Sequence, residues 1–157
     1  MNKFSKLIVT LVASLGIAGA TTVAISQAPA LPTVQAASTE NLDLANRDIA
    51  GYLDNCQQYE SRDKQFRGFT SIKQITYTSK HTIRVNVNND IFQLSKSRRS
   101  LLIDILQNGV ISTLMDNDLA NFNQAAVQKG CKTNIYLNDQ VIGHSAADNY
   151  RQIVWSK

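Results

Sequence analysis

Two cysteines, two histidines and one basic triplet are the residues whose types and positions bear on chemistry. Cys56 with His81 or His144 is the one nucleophile–base set of the thiol type the chain could assemble. A catalytic thiol gains from a helix start, where the helix dipole favours the thiolate. Cys56 falls near the end of an expected helix, so an extracellular hydrolase built on it is the minor reading. Lys96, Arg98 and Arg99 fall in the first turn of another expected helix. Cations there oppose the dipole, each costing roughly a few tenths of a kcal/mol when exposed. Breaking a local rule is sometimes the mark of function. Exposed helix-start amides together with these cations would form an anion-binding site, for wall-polymer phosphates, anionic lipid headgroups or an acidic protein. A solvated charged face, tolerated because the helix is held by its core, is the bland alternative.

Other signals are weaker. The two histidines stand far apart and lack Cys or acidic partners at ligand spacing, so neither a metal site nor a cofactor is expected. No serine lies in a Gly-x-Ser-x-Gly setting, and no catalytic residue is assigned. Asp116 and Asp118 resemble a fragment of a calcium loop without its Gly and closing Glu, and helix capping suits them better. Trp155 and Tyr52, Tyr59, Tyr77, Tyr136 and Tyr150 suit a sugar- or peptide-binding surface, although core packing is the usual fate of such residues.

These residues must be positioned by elements that the periodicity outlines. Leu42, Ala45, Ile49, Leu53 and Cys56 share one face of a helix over residues 39–59, with Ser38 or Thr39 as its cap. Residues 60–71 read as a loop. Ile75 and Tyr77, then Ile83, Val85 and Val87, alternate with polar residues, which predicts two antiparallel strands over 72–78 and 82–88 that reverse at Ser79-Lys80-His81. Ser95 is a good N-cap for a helix over 96–115. Its apolar face is expected to hold Leu101, Leu102, Ile105, Leu106, Val110 and Leu114, with Gln107 on the wet side. Asp116 or Asp118 is expected to cap a short helix carrying Leu119, Phe122 and Ala126 that stops at Gly130. Ile135 and Leu137 begin a hairpin that turns at Asn138-Asp139 and returns over 140–145, and residues 152–155 close the sheet. The order is α-β-β-α-(α)-β-β-(β). It predicts an α+β fold in which an antiparallel sheet of four to five strands is covered by helices.

The compartment is written in the first 36 residues. Lys3 and Lys6 precede an uncharged stretch from Leu7 to Ile25, then a polar segment with Pro29 and Pro32, then Val34-Gln35-Ala36. That order is a secretory signal peptide with cleavage after Ala36. The apolar run is just long enough to span a bilayer, so a retained N-terminal anchor is the alternative. No cysteine lies in residues 1–55 to carry a lipid, and Trp155-Ser156-Lys157 is neither a hydrophobic tail nor a sorting motif, so free secretion is expected. Residues 37–157 then make a single domain, large enough for its own core and expected to be a monomer without a membrane span. The whole chain carries a formal charge of +4. Without the two leader lysines, fourteen basic residues face twelve acidic ones, and most of the excess lies in residues 62–99, where nine cations face two acids. With so low a net charge, and no aromatics interleaved with the basic residues, a nucleic acid is not an expected partner. In an exported chain Cys56 and Cys131 make a candidate disulfide, worth roughly 4–5 kcal/mol by chain entropy; two buried thiols are the alternative.

Strand 82–88, Phe92-Gln93-Leu94-Ser95, the helix with Leu101, Leu102 and Ile105, Ile135-Tyr136-Leu137 and Val141-Ile142-Gly143-His144-Ser145 together resemble small secreted or lipoprotein domains of Gram-positive bacteria. The resemblance covers about residues 72–155, with Gly143 in place of a small alanine. It implies the β-β-α-β-β topology and a Gram-positive envelope setting, and it lends no catalytic residue. The expected function is a secreted or envelope-associated, non-catalytic binding module that attaches to an anionic wall polymer or to another protein. A secreted inhibitor or immunity-like protein and the Cys56 hydrolase are the alternatives.

Overall fold

The computed structural model describes residues 39–156, with side chains from Asn41 onward. The expected leader over residues 1–36 lies outside the described residues. Helix α1 spans Thr39–Tyr59. Two short 3-10 turns follow, Lys64–Phe66 and Phe69–Ser71. Strands β1 (Ile72–Ser79) and β2 (Thr82–Val87) form a hairpin, and a 3-10 turn at Asn89–Gln93 leads into α2 (Lys96–Asp116). A short α3 (Gln124–Lys129) precedes β3 (Lys132–Leu137), β4 (Gln140–Ser145) and β5 (Ile153–Trp155). The fold is α+β, as expected.

The five strands lie in sequence order, β1-β2-β3-β4-β5. Three of the pairings are antiparallel, but β2 and β3 run parallel, with Val85 beside Ile135. The sheet is therefore mixed, not wholly antiparallel. The reason lies in α2, whose 21 residues extend over roughly 30 Å and carry the chain back to the end of the sheet from which β2 set out. β3 must then start where β2 started.

One face of the sheet is buried. Ile75 and Tyr77, Ile83, Val85 and Val87, and Ile135 point toward Ile49, Leu53 and Cys56 of α1 and Leu102, Leu106, Val110 and Leu114 of α2 in a single core. Across the other face Thr76, Arg84, Asn134, His144 and Val154 stand in register on five successive strands. Gly109 lets the two helices close, because a Cβ there would overlap the Tyr52 ring.

Several local expectations need correction. Leu101 is exposed and Ile105 only half-buried, while the buried face of α2 holds Leu102, Leu106, Val110 and Leu114 as expected and also takes in Ile103, Gln107 and Ile111. Gln107 is fully buried because its Nε2 donates to Thr133 Oγ1 (2.9 Å) and to the Tyr150 carbonyl (2.9 Å), joining α2 to β3 and to the turn between β4 and β5. The cap of α3 is Asn123, not Asp116 or Asp118, and Leu119 and Phe122 precede the helix. Gly130 ends α3 at a φ of 83°, and a side chain there would strike the Gln107 amide.

Candidate functional site: a basic surface at the start of α2

Ser95 caps α2 by accepting a hydrogen bond from the Arg98 N–H at 3.2 Å. That geometry aims Arg98 back at the 3-10 turn Lys64–Phe66. Its Nε donates to the Arg67 carbonyl (3.0 Å), and Nη2 donates to Arg67 O (2.6 Å), Gln65 O (2.8 Å) and Lys64 O (3.2 Å). A planar guanidinium has the donor fork for such clustered acceptors. Arg98 is therefore a clamp on the backbone rather than an open anion ligand. Arg99 also departs from expectation. Its guanidinium lies 5.5 Å from the Phe92 ring centre and 4.9 Å from that of Trp155. Its Nε is buried without a hydrogen-bond partner. Of the three expected anion ligands, only Lys96 projects openly into solvent.

The same clamp supplies replacements. By holding the carbonyls of Lys64 and Arg67, Arg98 ties the turn that carries these two exposed cations to the start of α2, whose first residue is the exposed Lys96. The Glu60 carboxylate at this end accepts hydrogen bonds from Gly68 N (2.7 Å) and Thr70 N (2.7 Å). Partial burial pushes its pKa up, but those hydrogen bonds and the nearby Arg98 outweigh this and hold it below the usual range. Among the described residues the ion pairs are Arg47–Asp48, Arg84–Asp139 and Arg151–Asp104. None of them uses a cation of this surface. A position-by-position reading of the helix start misses Lys64 and Arg67, which lie some thirty residues upstream. The charge excess of residues 62–99 was the signal that contained them.

Cys56 and Cys131 are free, buried thiols, not a disulfide. Their places explain why. Gln57, beside Cys56, donates to Ile72 O (2.8 Å), which puts Cys56 at the Ile72 end of β1, where β2 ends at Val87. Cys131 precedes Lys132, which pairs with Thr82 at the opposite end of β2. The length of β2, roughly 17 Å, separates them, whereas a disulfide needs Cα atoms about 4.4–6.8 Å apart. Burial pushes both thiols up, Cys131 to about 12.

The thiol–imidazole set is not assembled either. Cys56 faces the core, and His144 stands on the uncovered face of the sheet. His81 sits in the β1–β2 turn, stacked on Phe122 at 3.9 Å with its Nε2 3.0 Å from the Asn121 carbonyl. The tyrosines do not converge. Tyr77 is buried, Tyr59 is exposed, and Tyr136 lies under Arg84 on the open face. Among the described residues no group of three or more His, Cys, Asp or Glu side chains is placed to hold a metal ion. No described helix is long and apolar enough to cross a membrane. Comparison of the chain with protein-family models, with curated proteins and with solved structures finds no match in any of the three.

Proposed function

We propose that this chain is a secreted, non-catalytic binding module of the bacterial cell envelope, of the Gram-positive type that residues 72–155 resemble, and that it attaches to polyanions such as anionic wall polymers. One observation carries the reading. Arg98 ties the turn that carries the exposed cations Lys64 and Arg67 to the start of α2, where Lys96 is exposed, and among the described residues none of the three forms an ion pair. Gathering unpaired cations on one surface costs self-repulsion, which a bound polyanion relieves. The test is binding of the purified protein to isolated walls across a salt series. Binding is expected to weaken as salt screens the surface, and to fall in Lys64→Ala, Arg67→Ala and Lys96→Ala. Binding indifferent to both salt and these substitutions overturns the reading.

A further inference from the structure

We infer that the polyanion met by this surface is the face of an anionic lipid bilayer, with Phe92, Tyr59 and Leu101 entering the headgroup layer among the cations. The inference rests on the reading above that the basic surface is the binding surface, and it names the partner. The large apolar residues exposed in the fold are Tyr59, Phe92, Leu101, Met115, Val141 and Val154. Three of them, Tyr59, Phe92 and Leu101, belong to segments that meet around the start of α2.

Their placement follows a chain of contacts. Tyr59 ends α1 and packs on Phe66 with ring centres 6.3 Å apart, inside the turn whose carbonyls Arg98 holds. Phe92 packs on Arg99, the neighbour of Arg98. Leu101 lies one turn beyond Arg98 on α2. Phe92 is 50% exposed and Leu101 48%, so each leaves about half its apolar surface in water. A soluble polyanion rewards the cations and gains nothing from these side chains. A bilayer rewards both, since headgroup phosphates pair with Lys and Arg while apolar side chains leave water between the acyl chains. Long basic side chains suit that boundary, with apolar stems inward and charged heads at the phosphates. The acids at this end are held by local neutral donors rather than paired with these cations. Asp63 accepts from Gln65 N, Asp90 accepts from Gln93 Nε2, and Glu60 accepts from Gly68 N.

The experiment uses the protein recovered from the medium of exporting cells. It is co-sedimented with vesicles of phosphatidylcholine alone and of phosphatidylcholine mixed equally with phosphatidylglycerol. Binding to soluble polyphosphate is measured in parallel. The protein is expected to bind the anionic vesicles and not the neutral ones. Phe92→Ala and Leu101→Ala, both at exposed positions, are expected to weaken vesicle binding about tenfold each. They are expected to leave polyphosphate binding unchanged, with far-UV circular dichroism showing that each variant is folded at the assay temperature. If the protein binds polyphosphate while the apolar variants bind vesicles as well as the parent does, the bilayer inference is overturned and the electrostatic reading stands. If it binds neither vesicles nor polyphosphate, the electrostatic reading has failed along with it.

Discussion

Arg98 commits its guanidinium to three backbone carbonyls, so the residue that looks most like a ligand in the sequence is a tie in the structure. Hydrogen bonds from a charged donor are each worth about 1.5–3 kcal/mol before solvent screening. Arg98→Ala is expected to destabilise by about 1–3 kcal/mol in urea unfolding. Arg98→Lys should recover little, because a lysine cannot fork across three acceptors. Polyanion binding should fall with it, since Lys64 and Arg67 lose their anchor. The cysteines allow an equally direct check. Both thiols are buried, so iodoacetamide added to the native protein should modify neither, and two additions should appear after denaturation. An intact mass showing two fewer hydrogens and no additions would restore the disulfide. The pKa of Cys131 is raised to about 12 by burial. The folded state thus retains a proton that the unfolded chain releases above about pH 8.5. Its contribution to stability is complete below that pH and fades as pH rises toward about 12. The urea midpoint should fall across this window, and less steeply in Cys131→Ala.

Element by element, the edges and contacts of the sheet explain what periodicity cannot. Asn46 of α1 uses its side-chain amide as a surrogate strand, accepting from Tyr77 N (2.6 Å) and donating to Tyr77 O (3.0 Å) along the outer edge of β1. An edge satisfied in this way is closed to other strands. Asn46→Ala is expected to cost about 1–3 kcal/mol and to raise the tendency to aggregate, read by urea unfolding and light scattering. The two helix glycines should respond in opposite directions. Gly109→Ala forces the Tyr52 ring out of its place and is expected to destabilise by about 1–3 kcal/mol. A Cβ at Gly51 meets nothing within 4 Å, so Gly51→Ala should stabilise by up to about 1 kcal/mol through helix propensity. Thermal midpoints of the two variants decide. The bounds of α1, the Ser95 cap and the Asn138-Asp139 turn were all legible, because each depends on residues close in sequence. The last is visible as positive φ at both positions, 48° and 64°. The burial of Gln107 was not legible, since its partners are Thr133 on β3 and Tyr150 in the turn between β4 and β5.

For the whole molecule, one core joins α1, α2 and the inner face of the sheet. Unfolding should be a single transition. Trp155, the only tryptophan, reports from β5, while far-UV circular dichroism reports mainly from the two long helices, and their urea midpoints should coincide. Separate midpoints would show that the β5 edge opens by itself. At this scale the sequence by itself determined the α+β class, the helix and strand order and the concentration of charge in residues 62–99. Those properties follow from local periodicity, local capping and simple counting. Only the tertiary structure decided that β2 and β3 run parallel, because direction there is set by how far α2 carries the chain. It also separated Cys56 from Cys131 along the length of β2, which neither thiol's neighbours in sequence could reveal. The basic surface shows the same division. Composition placed the cations in one segment, but the fold turned Arg98 and Arg99 inward and tied the turn carrying Lys64 and Arg67 to the start of α2. A side chain's availability depends on which carbonyls and rings lie within its reach, and contacts distant in sequence set that.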